Sequence, residues 1–191
     1  MISPDAFINL MEAPDPSVEQ VKSILKDHPE YANIRLKTGI SITSHAVYNF
    51  KFDLAKEIYR VSTIRDLGTC CAIDDYKEIE KLILDGADPN ELTVDGFTPL
   101  SLSCAFGSPE SVAFLLAHKA DPNKRGTAID NIAPIHAAIF GRKSQNLELL
   151  LEAGADPELP QATGYTPFNA AVENRDMVSM LMLSNAILKK K

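Results

Sequence analysis

The chain has 191 residues, is 45% hydrophobic and 24% charged, and carries a formal net charge of −7 at pH 7. That charge argues against a nucleic-acid partner, whose affinity rests on Lys and Arg neutralising phosphates. The basic clusters are Lys124-Arg125 and the three terminal lysines, which read as solubilising charge. No apolar run approaches the length of a membrane span, so no membrane association is expected. MISPDAFINLMEAPDP at the N-terminus lacks a basic region followed by an apolar block, so a cytoplasmic location is expected unless a leader has been removed.

In chain order, Ser3-Pro4 and Asp15-Pro16 read as helix starts. Val18, Val21, Ile24 and Leu25 make a helical stripe, which completes an N-terminal helical pair, and HPEYAN at 28–33 stands as a loop. Gly39-Ile40-Ser41 then leads into a helix holding the small pair Ala46-Val47, and Leu54, Ile58 and Tyr59 mark a second helix. Another such pair follows at once: Leu67 and Cys70-Cys71 on its first helix, Ile79, Leu82 and Ile83 on its second, and Gly86 at its end. Roughly nine residues are missing between these two copies compared with the later spacing. Asp95-Gly96-Phe97-Thr98-Pro99-Leu100 opens the next first helix, with Val112–Leu116 as its apolar second helix. Asn131-Ile132-Ala133-Pro134-Ile135-His136 opens another, with Leu147–Leu151. Gly164-Tyr165-Thr166-Pro167-Phe168 opens the last, with Met177, Val178, Met180 and Leu181. Ser184-Asn185-Ala186 reads as a worn loop signal and Lys189–Lys191 as a frayed tail.

Three loops share one register. Asp88-Pro89-Asn90 recurs 33 residues on as Asp121-Pro122-Asn123 and 35 later as Asp156-Pro157-Glu158. Thr-Pro suits a helix start, since the Thr hydroxyl caps backbone N–H groups and Pro at the first position loses no hydrogen bond. Gly86 and Gly154 suit the left-handed residue just past a helix C-terminus. On these motifs the chain resembles the ankyrin-repeat family, whose pattern is a hairpin, a Thr-Pro-Leu-His helix, a turn, a second helix and Gly-Ala-Asp-x-Asn at about 33 residues. The resemblance implies an all-α solenoid of stacked helix-turn-helix repeats with protruding loops or hairpins. It implies a single ankyrin-repeat domain over residues 1–191: about five repeats behind an N-terminal helical cap, clearest near 61–90, 93–123, 124–158 and 159–187. Terminal copies depart most from the pattern, as capping units should, since one face of each meets water instead of a neighbour.

Catalytic machinery is not expected. A hydrolase needs a converging nucleophile, base and orienting acid, and the four histidines do not converge. The resemblance implies a structural role for His136, hydrogen-bonded to a neighbouring loop. With helices about 8–10 Å apart, His45 should lie on the order of 25–30 Å from it, too far to share a metal. His28 and His118 precede loops at second-helix ends, complementing the helix dipole. Cys70, Cys71 and Cys104 read as small packing residues, and Cys70-Cys71 lacks the spacing of a zinc site. Asp88, Asp121 and Asp156 read as loop-organising residues. No cofactor and no metal are expected.

The resemblance instead implies a protein-binding module working through a concave groove and its loop tips. In the family the residue between Gly and Thr and the two residues after the small pair face that groove. Here these include Phe97, Ile132, Tyr165, Phe106 and Phe140, an apolar set that reads as partner-binding. Lys124 and Arg125 join it as part of a two-residue insertion in the loop of 124–129. A monomer recognising one protein partner is expected, with no nucleic acid and no membrane. An inhibitor or immunity-type protein that occludes a partner enzyme's active site is the alternative.

Overall fold

The computed structural model describes residues 2–190. Among them, regular structure is helical: α1 (Pro4–Glu12), α2 (Val18–Asp27), α3 (Ile42–Tyr48), α4 (Phe52–Val61), α5 (Leu67–Ile73), α6 (Tyr76–Leu84), α7 (Pro99–Phe106), α8 (Pro109–Ala117), α9 (Pro134–Phe140), α10 (Ser144–Glu152), α11 (Pro167–Glu173) and α12 (Met177–Lys190). The first helices of successive pairs form an inner column, α3–α5–α7–α9–α11, and α6–α8–α10–α12 form an outer one. The fold is an all-α solenoid of stacked helix pairs, the architecture that the resemblance implied.

Local chemistry sets the helix starts. Ser3, Ser41, Thr98, Ser108 and Thr166 each accept a backbone N–H as N-caps, Asp66 and Asp75 do the same with carboxylates, and each cap contributes about 1 kcal/mol. The second helix begins later than Asp15-Pro16 suggests, because Ser17 is its cap and Pro16 is buried ahead of it. HPEYAN holds a short 3-10 helix over Pro29–Asn33 that buries Tyr31, whose hydroxyl donates to the Ile2 carbonyl at 2.9 Å.

The Asp-Pro-Asn loops form a ladder. Asp88, Asp121 and Asp156 each accept, through Oδ1, the N–H two residues on, which organises the loop as expected. The Asn then reaches the next loop. Asn90 accepts the Asp121 N–H at 2.8 Å and donates to the Lys119 carbonyl at 2.8 Å. Asn123 accepts the Asp156 N–H at 2.7 Å and donates to the Gly154 carbonyl at 3.0 Å. Gly86 (φ 101°) and Gly154 (φ 89°) fill the left-handed position, and Lys119 occupies it in the middle loop at φ 70°.

The shortened connection between α4 and α5 is locked by other means. The Asn33 side-chain oxygen accepts from the Ser62 hydroxyl, the Thr63 hydroxyl and the Thr63 N–H. The Arg65 guanidinium lies 4.0 Å over the Tyr59 ring and donates to the Ser62, Ile64 and Tyr59 carbonyls. The buried core accordingly divides into an N-terminal group running from Phe7 to Ala72 and a larger group running from Cys70 to Leu183, with Tyr48 and Phe106 packed against both.

Two expectations at the C-terminal end fail. Ser184-Asn185-Ala186 is not a loop, and Lys189 and Lys190 are not frayed, since α12 runs unbroken through them to Lys190. Ser, Asn and Ala are tolerated inside a helix at a cost of a few tenths of a kcal/mol, and no Gly stops it there. Lys190 Nζ closes on the Asp156 carboxylate at 2.6 Å; Lys191 lies outside the described residues. The last unit exposes Phe168, Val172, Met177, Val178, Leu181 and Leu188 on α11 and α12.

Candidate functional site: an aromatic groove

The turn from each first helix to its second aims the last residues of the first helix inward. On the concave side this produces a groove of about 750 Å³ whose lining includes Phe97, Phe106, Ile132, Phe140 and Tyr165, together with Ile40, Tyr48 and Phe50. Five of the expected partner-binding residues therefore meet in one place. Lys124 and Arg125 are not among the lining residues. The loop that carries them is folded back on its neighbour instead. Thr127 and Ala128 donate their N–H groups to the Gly96 carbonyl, and a Cβ on Gly126 would run into that same carbonyl.

Aromatic rings form a continuous run across this surface. Centroids lie 5.7 Å apart for Phe97–Tyr48, 6.2 Å for Tyr48–Phe106, 6.3 Å for Phe106–Phe52, 6.1 Å for Phe52–Phe50 and 6.3 Å for Phe50–Phe140. The last contact joins the first helix pair to the fourth. A straight stack with helices about 8–10 Å apart cannot do that, so the concave side is strongly closed at the helix ends.

Exposure separates anchors from scaffold. Phe140 is 62% exposed and Phe50 59%. Phe106 is partly buried between the two core groups, so it holds the halves together as well as lining the groove. Phe50 and Phe52 escape the sequence pattern because they lie in and just beyond the turn between α3 and α4. Phe50 also sits at φ 59°. Arg142 (φ 54°) and Arg175 (φ 53°) hold the same place in the corresponding turns, so the left-handed residue belongs to the turn itself.

The polar lining is acidic. Asp95, Asp130 and Glu173 line the groove, whereas no Lys or Arg does. None of the three makes an ion pair among the described residues. Asp95 Oδ2 is shut off from solvent without a hydrogen-bond partner. Burial, and then the Asp95 carboxylate, push the Tyr48 hydroxyl pKa well up. Desolvation, and then Glu173, push that of Tyr165 up to about 12.

His136 lies in the groove floor at 3% exposure. The backbone of Tyr165 in the neighbouring loop faces it, where a loop contact was expected, although neither ring nitrogen has a partner in full hydrogen-bond geometry. The Tyr165 backbone is close enough to favour the charged form, but burial outweighs it and the pKa is pushed down to about 4. His28 stacks on Tyr31 at 4.8 Å, while His118 donates from Nδ1 to the Phe114 carbonyl at the end of α8. Cys70, Cys71 and Cys104 are free and fully buried, and desolvation raises the first two thiols to about 12 and the third well above its ordinary value. Among the described residues no cluster of three or more His, Cys, Asp or Glu could hold a metal ion, and no helix is long and apolar enough to cross a membrane.

Comparison with known proteins agrees with this architecture. A family model for ankyrin repeats, in three copies, matches residues 67–161. The chain is 31% identical over 104 residues to glycerophosphocholine phosphodiesterase gde1 of Schizosaccharomyces pombe, covering 54% of this chain and 9% of that protein. It is 24% identical over 115 residues to the putative ankyrin repeat protein FPV024 of fowlpox virus, covering 60% and 19%. It is 33% identical over 98 residues to the human BCL-6 corepressor-like protein 1, covering 50% and 5%. The chain thus spans less than a fifth of the length of each of these relatives. Ankyrin repeats are in general protein-interaction modules.

Proposed function

We propose that this ankyrin-repeat chain binds a partner protein through its concave groove and performs no catalysis of its own. The observation that carries this reading is the aromatic run that ends in the exposed Phe50 and Phe140, in a chain with charge to spare. A contiguous apolar surface on a soluble protein marks something that covers it. Aromatic side chains near the centre of a contact supply most of its binding energy. The same surface would serve an inhibitor, in which case the covered partner is an enzyme and its activity falls on binding.

Benzoylphenylalanine placed at Phe140, and separately at Glu148 on the exposed side of α10, tests the reading in cells. Crosslinks to a protein from position 140 and none from 148 are expected. Against the captured partner, Phe140→Ala should weaken binding by about thirtyfold, the loss usual for a buried aromatic anchor. Phe106→Ala is a poorer probe, because its ring also packs against both core groups. Crosslinks from 148 alone, or undiminished affinity in Phe140→Ala, would move the interface off the groove.

A further inference from the structure

We infer that the segment held in this groove is apolar and carries an arginine, an inference that rests on the groove being the docking surface. Two features of the lining together specify that chemistry. The rings of Phe97, Tyr48, Phe106, Phe50 and Phe140 line the groove, and with Phe52 just outside they follow one another at 5.7 to 6.3 Å, so an entering side chain meets aromatic surface along the way. Around them the charged lining residues are Asp95, Asp130 and Glu173, with no Lys or Arg to neutralise them. Arg125 is near enough to depress the His136 pKa but does not line the groove.

A purely aliphatic segment satisfies the rings and leaves the negative potential of three carboxylates unanswered. An acidic segment adds like-charge repulsion. Nucleic acid fails for the same reason, since its phosphates would meet the carboxylates. A guanidinium answers both features at once. Its plane stacks on aromatic faces, its alkyl stem covers apolar surface, and its fork pairs with a carboxylate. Asp95 lies deepest, beside the Tyr48 hydroxyl; its Oδ2 is closed off from solvent, so it adds negative potential while the rim carboxylates supply the pairing oxygens. Glu173 is exposed and Asp130 sits on a loop at φ 66°, so both reach the groove from its rim.

Random peptides supply the test while the partner is still unidentified. A displayed library of short sequences is selected on the full chain and counter-selected on Phe140→Ala, which retains groove-dependent binders. The retained sequences should place Arg among apolar residues. Synthetic copies with Arg replaced by citrulline, which has the same shape without the charge, should bind about tenfold more weakly, as should the original peptides against Glu173→Gln or Asp130→Asn. Asp95→Asn should give a smaller loss, through potential alone, with thermal melts checking that Tyr48 stays packed. Replacement of Arg by Lys should cost less than citrulline. Neutral or acidic groove-dependent peptides, equal binding of the citrulline copies, or the absence of any groove-dependent peptide would each overturn the inference. Crosslinking from position 140 reads the docking surface independently, so a captured partner with no arginine dependence would remove this inference and leave the proposed function standing.

Discussion

Asn123→Ala removes the rung that joins the second Asp-Pro loop to the third. The side chain accepts the Asp156 N–H at 2.7 Å and donates to the Gly154 carbonyl at 3.0 Å, so the substitution deletes two hydrogen bonds between neighbouring units. A typical intramolecular hydrogen bond contributes about 0.5–1.5 kcal/mol net, and a donor left buried costs more than one left in water. Here the bond to Gly154 is exposed and water can replace it, while the Asp156 N–H is partly buried. The expected loss is therefore about 1–2 kcal/mol, below the sum of two full bonds. Urea unfolding should show it as a lower midpoint with an unchanged slope, because the surface exposed on unfolding is the same. Glu158 is the internal control. It holds the same register position, but its side chain is exposed and makes no hydrogen bond among the described residues, so Glu158→Ala should stay within about 0.5 kcal/mol of the unmodified chain. An Asn123→Ala variant indistinguishable from the parent, or a Glu158→Ala variant that loses as much, would refute the ladder as a source of stability.

Lys119 occupies at φ 70° the position that Gly86 and Gly154 fill elsewhere, so Lys119→Gly should relieve strain and raise stability by up to about 1 kcal/mol in the same urea assay. A lower midpoint would show that the lysine packing outweighs its backbone cost. His136 should titrate by NMR near pH 4, far below the ordinary 6.5, because burial holds it neutral. In that window the unfolded chain binds the extra proton, so this residue should make stability fall as pH drops from 6.5 toward 4; a midpoint near 6.5 would mean the ring is wet. The thiols shift the other way. Burial lifts Cys70 and Cys71 from 9.0 to about 12, so their contribution is intact below pH 9 and lost as pH climbs toward 12. A thiol-disulfide reagent at pH 8 should accordingly label none of the three cysteines until the chain unfolds, and rapid labelling of the folded protein would contradict their burial.

The sequence by itself determined whatever depends on a few neighbouring residues. Thr98 and Thr166 followed by proline specify helix starts because the cap and the lost N–H are both local matters, and both residues do cap. Gly86 and Gly154 specify positive φ through the absence of a Cβ, and the recurrence of Asp-Pro-Asn at near-constant spacing specifies the stack. Cys70, Cys71 and Cys104 read correctly as buried because their register matched that of alanines. The tertiary structure alone decided how the units sit on one another. Stack curvature accumulates from small rotations at each interface, and no single interface reveals the sum; only the assembled helices bring Phe50 of the first pair against Phe140 of the fourth. The same holds for the acidic lining, where Asp95, Asp130 and Glu173 come from three different units and become one electrostatic surface only on folding. At the C-terminus α12 runs on through Ser184–Ala186, where its end brings Lys190 to Asp156, a contact across 34 positions that local propensity does not encode.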